Sequence, residues 1–155
     1  MAIDSFSQPP LRHLASFISS GTFTVPEGAT RLYVSVNGAQ GQNWYSNARG
    51  NSVRGNGYVN VIPGKTAQVV IGATAAAGTG LTAGTTSFDG AIIVTGSQNG
   101  TQGRYGGQTG AIGAATITTS LPGGAPAGAA ARVTSATTSN QDLGNAQNGS
   151  VDIYG

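Results

Sequence analysis

Apolar and polar residues alternate with period two in short runs along this chain. The clearest run is Arg31–Asn37, RLYVSVN, where Leu32, Val34 and Val36 alternate with Tyr33 and Ser35. Tyr58–Ile62 (YVNVI) and Ser150–Tyr154 (SVDIY) alternate in the same way. Shorter segments read as strands at Thr22–Val25, Gln68–Ile71, Thr85–Phe88, Ala91–Thr95 and Ala115–Thr119. Ala129–Thr134 fits either a strand or one helical turn. Turn chemistry separates the runs. Pro26-Glu27-Gly28-Ala29 suits a tight turn, and Asp89-Gly90 is a hairpin signal. Pro63-Gly64 ends the Tyr58–Ile62 strand, which is expected to form a hairpin with Gln68–Ile71. Three small-residue stretches, Gly38–Gly57, Gly72–Gly84 and Gly96–Gly113, read as loops. Many short strands joined by glycine-rich turns predict an all-β sandwich or barrel.

The first twenty residues differ. Glycine is absent before Gly21, and the segment holds Pro9-Pro10, the only histidine (His13) and the apolar residues Leu11, Leu14, Phe17 and Ile18. The spacing of Leu11, Leu14 and Ile18 places them on one face of a short helix, and a frayed N-terminal tail or an ordinary first strand is the other reading. A helix of this length needs a partner surface. Residues 1–20 are expected to form an N-terminal docking arm, with residues 21–155 as the domain.

Composition narrows the class. Of 155 residues, 26 are glycine and only 8% are charged, against about 7% glycine and 25% charge in ordinary domains. A charged coiled coil and a glycine-periodic collagen are both excluded. The apolar fraction is 38%, but 22 of those residues are alanine, so the core is thin and burial between subunits would help it. A net charge of +2 is too low for a disordered polyelectrolyte. The basic residues are scattered, so no nucleic-acid footprint is present. No apolar run reaches the roughly 18–20 residues of a membrane-spanning helix. Without cysteine there is no thiolate chemistry and no Cys-based metal site.

Candidate chemistry is sparse. The carboxylates Asp4, Glu27, Asp89, Asp142 and Asp152 stand apart in sequence, and His13 falls in the arm. Neither pattern gives a preorganised acid–base pair. Gly64-Lys65-Thr66 has the end of a phosphate-binding loop but lacks its upstream glycine, and reads as a turn. No catalytic residue, cofactor site or metal site is expected. Trp44 and Tyr45 in one polar loop, and Arg104 and Tyr105 in another, are candidate ligand or interface contacts, because aromatic and arginine side chains anchor interfaces and can stack on sugars.

Several segments, taken in order, resemble the glycine-rich domains of bacteriophage structural proteins. Thr22-Phe23-Thr24-Val25-Pro26-Glu27-Gly28-Ala29-Thr30, followed by Val34, Val36 and Gly38, resembles their opening. Val61-Ile62-Pro63-Gly64, Val69-Val70-Ile71-Gly72 and Gly84-Thr85-Thr86-Ser87-Phe88 resemble successive internal elements. Asn148-Gly149-Ser150-Val151-Asp152-Ile153-Tyr154 resembles the closing strand. Family members carry polyglycine runs, whereas the longest runs here are the pairs Gly106-Gly107 and Gly123-Gly124.

The resemblance implies a jelly-roll sandwich similar to tumour necrosis factor, assembled as a homotrimer in the virion. The expected function is non-enzymatic: a capsid decoration, head-fibre or tail-appendage subunit. It would dock on capsid or tail proteins through Leu11, Leu14, Phe17 and Ile18. The alternative is a fibre-tip module that binds a receptor or host surface glycan. No nucleic-acid or membrane partner is expected.

Overall fold

The computed structural model describes residues 10–41, 52–75, 82–97, 114–117, 133–141 and 147–155. These residues form ten strands and no helix. The strands are β1 (His13–Phe17), β2 (Gly21–Thr24), β3 (Arg31–Asn37), β4 (Ser52–Asn60), β5 (Thr66–Val70), β6 (Thr86–Phe88), β7 (Ile92–Val94), β8 (Ala115–Ile117), β9 (Val133–Gln141) and β10 (Ser150–Tyr154). They build two antiparallel sheets. The first has the order β1-β10-β3-β4-β9 and the second β2-β5-β6-β7-β8. The chain is an all-β sandwich.

Alternation decides what each strand buries. Leu32, Val34 and Val36 of β3, Val53 and Val59 of β4, and Val151 and Ile153 of β10 turn inward. They meet Ala67, Val69, Phe88, Ile92 and Val94 of the second sheet in one continuous core. Each fully buried large apolar side chain contributes roughly 1.5–3 kcal/mol by leaving water. Two inward positions of β4 are glycine, Gly55 where the second sheet comes close and Gly57 where the neighbouring strand β9 does. A Cβ on Gly55 would lie 3.1 Å from Ile92 Cγ2, and one on Gly57 would lie 2.9 Å from Val133 Cγ1. The missing side chains on β4 are thus filled by neighbours.

Two turns have glycine where a left-handed backbone is needed. Gly28 has φ +82° and Gly64 φ +73°, each third in a turn closed by a backbone bond, Ala29 to Pro26 at 3.1 Å and Lys65 to Ile62 at 3.2 Å. Glycine third in both turns, with Pro63 second in the latter and Glu27 second in the former, matches a type II turn. The Gly64-Lys65-Thr66 triplet is therefore part of a turn. The expected hairpin of Tyr58–Ile62 with Gln68–Ile71 does not form. β4 pairs with β3 and β9, while β5 pairs with β2 and β6. Pro63-Gly64 carries the chain from one sheet to the other. Asp89-Gly90 does join a hairpin, β6 to β7, with both residues at positive φ.

Residues 13–17 are a strand, not a helix. β1 pairs with β10 and gives the first sheet one of its edges. A register shift at Leu14 allows both Leu14 and Ala15 to pack toward the core. His13 and Ser16, three residues apart, consequently share the outer face. At the opposite edge, β9 has a similar irregularity, where Ser135 and Ala136 stand against Gly57 and Ser135 takes φ +53°.

Glycine and alanine segments are tied together at one end of the sandwich. Gln40 N–H donates to Gln147 O at 2.9 Å, Ser97 N–H to Ala39 O at 3.0 Å, and Gly149 N–H to Gly72 O at 2.9 Å. Ala39, Ala75 and Ala83 form a small buried cluster there. A Cβ on Gly149 would collide with Thr86 Oγ1.

Candidate functional site

The outer face of the first sheet collects most of the described chemistry. Its side chains form three rows across the strands, fixed by register. In the first row His13 stands opposite Tyr154, Tyr154 opposite Tyr33, and Tyr33 opposite Tyr58. The ring centroids are 5.3, 6.2 and 5.2 Å apart in that order, with edge-on or tilted geometry. Arg31 lies over the Tyr58 ring at 4.4 Å from its centroid. Edge-to-face pairs of this kind contribute about 0.5–1.5 kcal/mol each beyond their buried area.

The second row is polar and runs Ser16, Asp152, Ser35, Asn56, Thr137. The Ser16 hydroxyl donates to Asp152 Oδ1 at 2.5 Å, and Asn56 Nδ2 donates to Thr137 Oγ1 at 3.4 Å. The third row runs Ser150, Asn37, Arg54. Arg54 Nε donates to Asn37 Oδ1 at 2.6 Å, and Asn37 Nδ2 donates to Ser150 Oγ at 2.9 Å. This end of the face opens into a depression lined by Ile18, Asn37, Arg54, Asn148, Ser150 and Asp152.

His13, Ser16 and Asp152 meet on this face, although the sequence placed His13 in an arm outside the domain. His13 Nε2 lies 2.8 Å from Ser16 Oγ and 3.8 Å from Asp152 Oδ1. Nucleophilic activation needs histidine to accept the serine proton and the carboxylate to hold the histidine. Here serine sits between the other two, and its proton points to Asp152. His13 therefore serves as a donor to Ser16, and the trio is a hydrogen-bonded strap between β1 and β10. Among the described residues no group of three His, Asp or Glu side chains is placed to hold a metal ion. No helix among them is long and apolar enough to cross a membrane.

The four apolar residues expected to dock divide into two pairs. Leu14 and Phe17 pack against the core, while Leu11 is 45% and Ile18 78% exposed. Only Leu11 and Ile18 offer substantial apolar surface. Trp44, Tyr45, Arg104 and Tyr105 lie outside the described residues. The sequence by itself does not single out the tyrosine row. Its signal was present, because Tyr33, Tyr58 and Tyr154 all occupy outward positions of alternating strands. Their alignment depends on register, which a single strand does not reveal. Comparison with protein-family models, curated proteins and solved structures gave no match.

Proposed function

We propose that this chain is a non-enzymatic structural subunit of a bacteriophage virion: a capsid decoration, head-fibre or tail-appendage protein. It acts by assembling as a homotrimer and docking on other virion proteins. The supporting observation is the ordered series of segments that resemble phage glycine-rich domains, carried on the strands of a two-sheet sandwich. The opening segment supplies β2, its type II turn and β3, and the closing segment supplies β10. The thin core agrees with a chain that gains burial from neighbours. Exposed Leu11 and Ile18 flank β1 and supply the apolar contact for docking.

Native mass spectrometry of the full chain tests the assembly. A trimer is expected, and a monomer at micromolar concentration overturns it. Docking is tested with the double variant Leu11→Asp/Ile18→Asp, which alters exposed positions and leaves β1 in place. The variant is expected to fold and to be lost from purified particles. Undiminished incorporation would reject these residues as the anchor.

A further inference from the structure

We propose that the outer face of the first sheet is a binding platform for a neutral glycan chain. The proposal is independent of the virion reading, since the surface belongs to the single folded chain. Sugars offer two kinds of surface, patches of C–H on the ring faces and pairs of neighbouring hydroxyls around the rim. The face offers a match to both. The tyrosine row is an apolar ledge of half-buried rings, one ring per strand. A pyranose is about as long as one interstrand step, roughly 4.8 Å. The rings stand 5.2–6.2 Å apart with planes tilted by 57–68°, so successive sugars would meet ring edges and faces in turn.

The polar row next to it supplies the hydrogen bonds. Asp152 and Asn56 are planar groups that can engage two adjacent hydroxyls, with Ser35 between them. These side chains are already held, Asp152 by Ser16 at 2.5 Å and Asn56 by Thr137 at 3.4 Å. Holding them before binding reduces the entropy lost when a ligand arrives.

Other partners fit less well. Protein interfaces are depleted of serine and aspartate at their centres, yet the middle row here is built from Ser16, Asp152, Ser35 and Asn56. A nucleic acid needs a basic stripe, whereas His13 and Arg31 lie at the tyrosine row and Arg54 in the third row, with Asp152 in the row between them. The same mixture of charges argues against an acidic saccharide and for an uncharged one.

The test starts with the labelled full chain on an array of neutral glycans. Nuclear magnetic resonance titrations with cellohexaose, xylohexaose and mannohexaose follow. At least one neutral glycan is expected to bind and to shift the amides of Tyr33, Asn56 and Asp152. Tyr33→Ala and Asn56→Ala should each weaken that binding by roughly tenfold, the scale of one lost stacking or hydrogen-bonding contact. Val70→Ser, at an exposed position of the second sheet, should leave it unchanged. Circular dichroism establishes that each variant is folded. A blank array with no shifts at millimolar sugar overturns the proposal. So do shifts confined to another surface, or undiminished binding by folded Tyr33→Ala. Shifts of this face on raising the protein concentration, with no sugar effect, would assign it to contact between copies instead.

Discussion

The two faces of the first sheet are made by the same strands and obey different rules. In β3 the inward residues Leu32, Val34 and Val36 are fully buried, while Tyr33 and Ser35 are partly exposed. In β4 the inward side carries Val53, Gly55, Gly57 and Val59, and the outward side Arg54, Asn56, Tyr58 and Asn60. Inside, what matters is volume. A valine on one layer or a missing side chain on the other sets how near the sheets come. Outside, what matters is partnership across strands, ring to ring and hydroxyl to carboxylate. Register serves both faces at once, because a one-residue slip would exchange them.

This contrast predicts a graded response to substitution. The largest effect is expected for Val34→Asp, which places an unpaired charge in the core. It should cost more than about 4 kcal/mol and abolish a cooperative thermal transition. A melt resembling wild type would show that the inner face is wet. Next comes the adjacent pair on β4. Gly55→Ala forces a methyl toward Ile92 and should destabilise by about 1–3 kcal/mol in urea unfolding. Asn56→Ala, one residue on and facing out, should cost no more than about 0.5 kcal/mol. Equal values for the two would break the distinction between faces.

Tyr33→Ala is expected to fall between these, because Tyr33 contacts both Tyr58 and Tyr154. A loss of about 1 kcal/mol, or 2–4 °C in Tm for a domain of this size, is expected by calorimetry. The smallest effect belongs to Ser16→Ala, which removes the middle of the His13–Ser16–Asp152 strap on an exposed surface. It should change stability by less than about 0.5 kcal/mol. A larger loss would mean that the strap holds β1 in the sheet.

Much of the sandwich was legible wherever one face of a strand is apolar and the other polar. β3 and β10 follow from alternation alone, and the turns at Pro26–Ala29 and Asp89-Gly90 from the residues that tolerate positive φ. The start of β4 looks like loop in the sequence because its inward positions, Gly55 and Gly57, carry no apolar side chain. The signal was removed by the same close packing that makes glycine necessary there. β9 carries only an ambiguous signal, strand or helical turn, at its first residues, because Thr134–Ser139 are exposed on a sheet edge and nothing there alternates. β1 resembled a helix because its register shift turns Leu14 and Ala15 to the same side, which spoils period two. The outer-face rows join strands distant in the chain, such as Ser16 with Asp152, and only pairing brings them together.

The irregular edge strands bear on how copies of this chain can meet. With a net charge of only +2, copies of the chain have little electrostatic repulsion to keep them apart. A straight, unbroken edge would then be a template for neighbouring chains to add strand after strand. Both edges of the first sheet are instead interrupted, β1 at Leu14 and β9 at Ser135. Each break puts the backbone groups of that edge out of step with an incoming strand. Among the described residues, backbone shape thus opposes edge-to-edge pairing of the first sheet, where so low a charge does little.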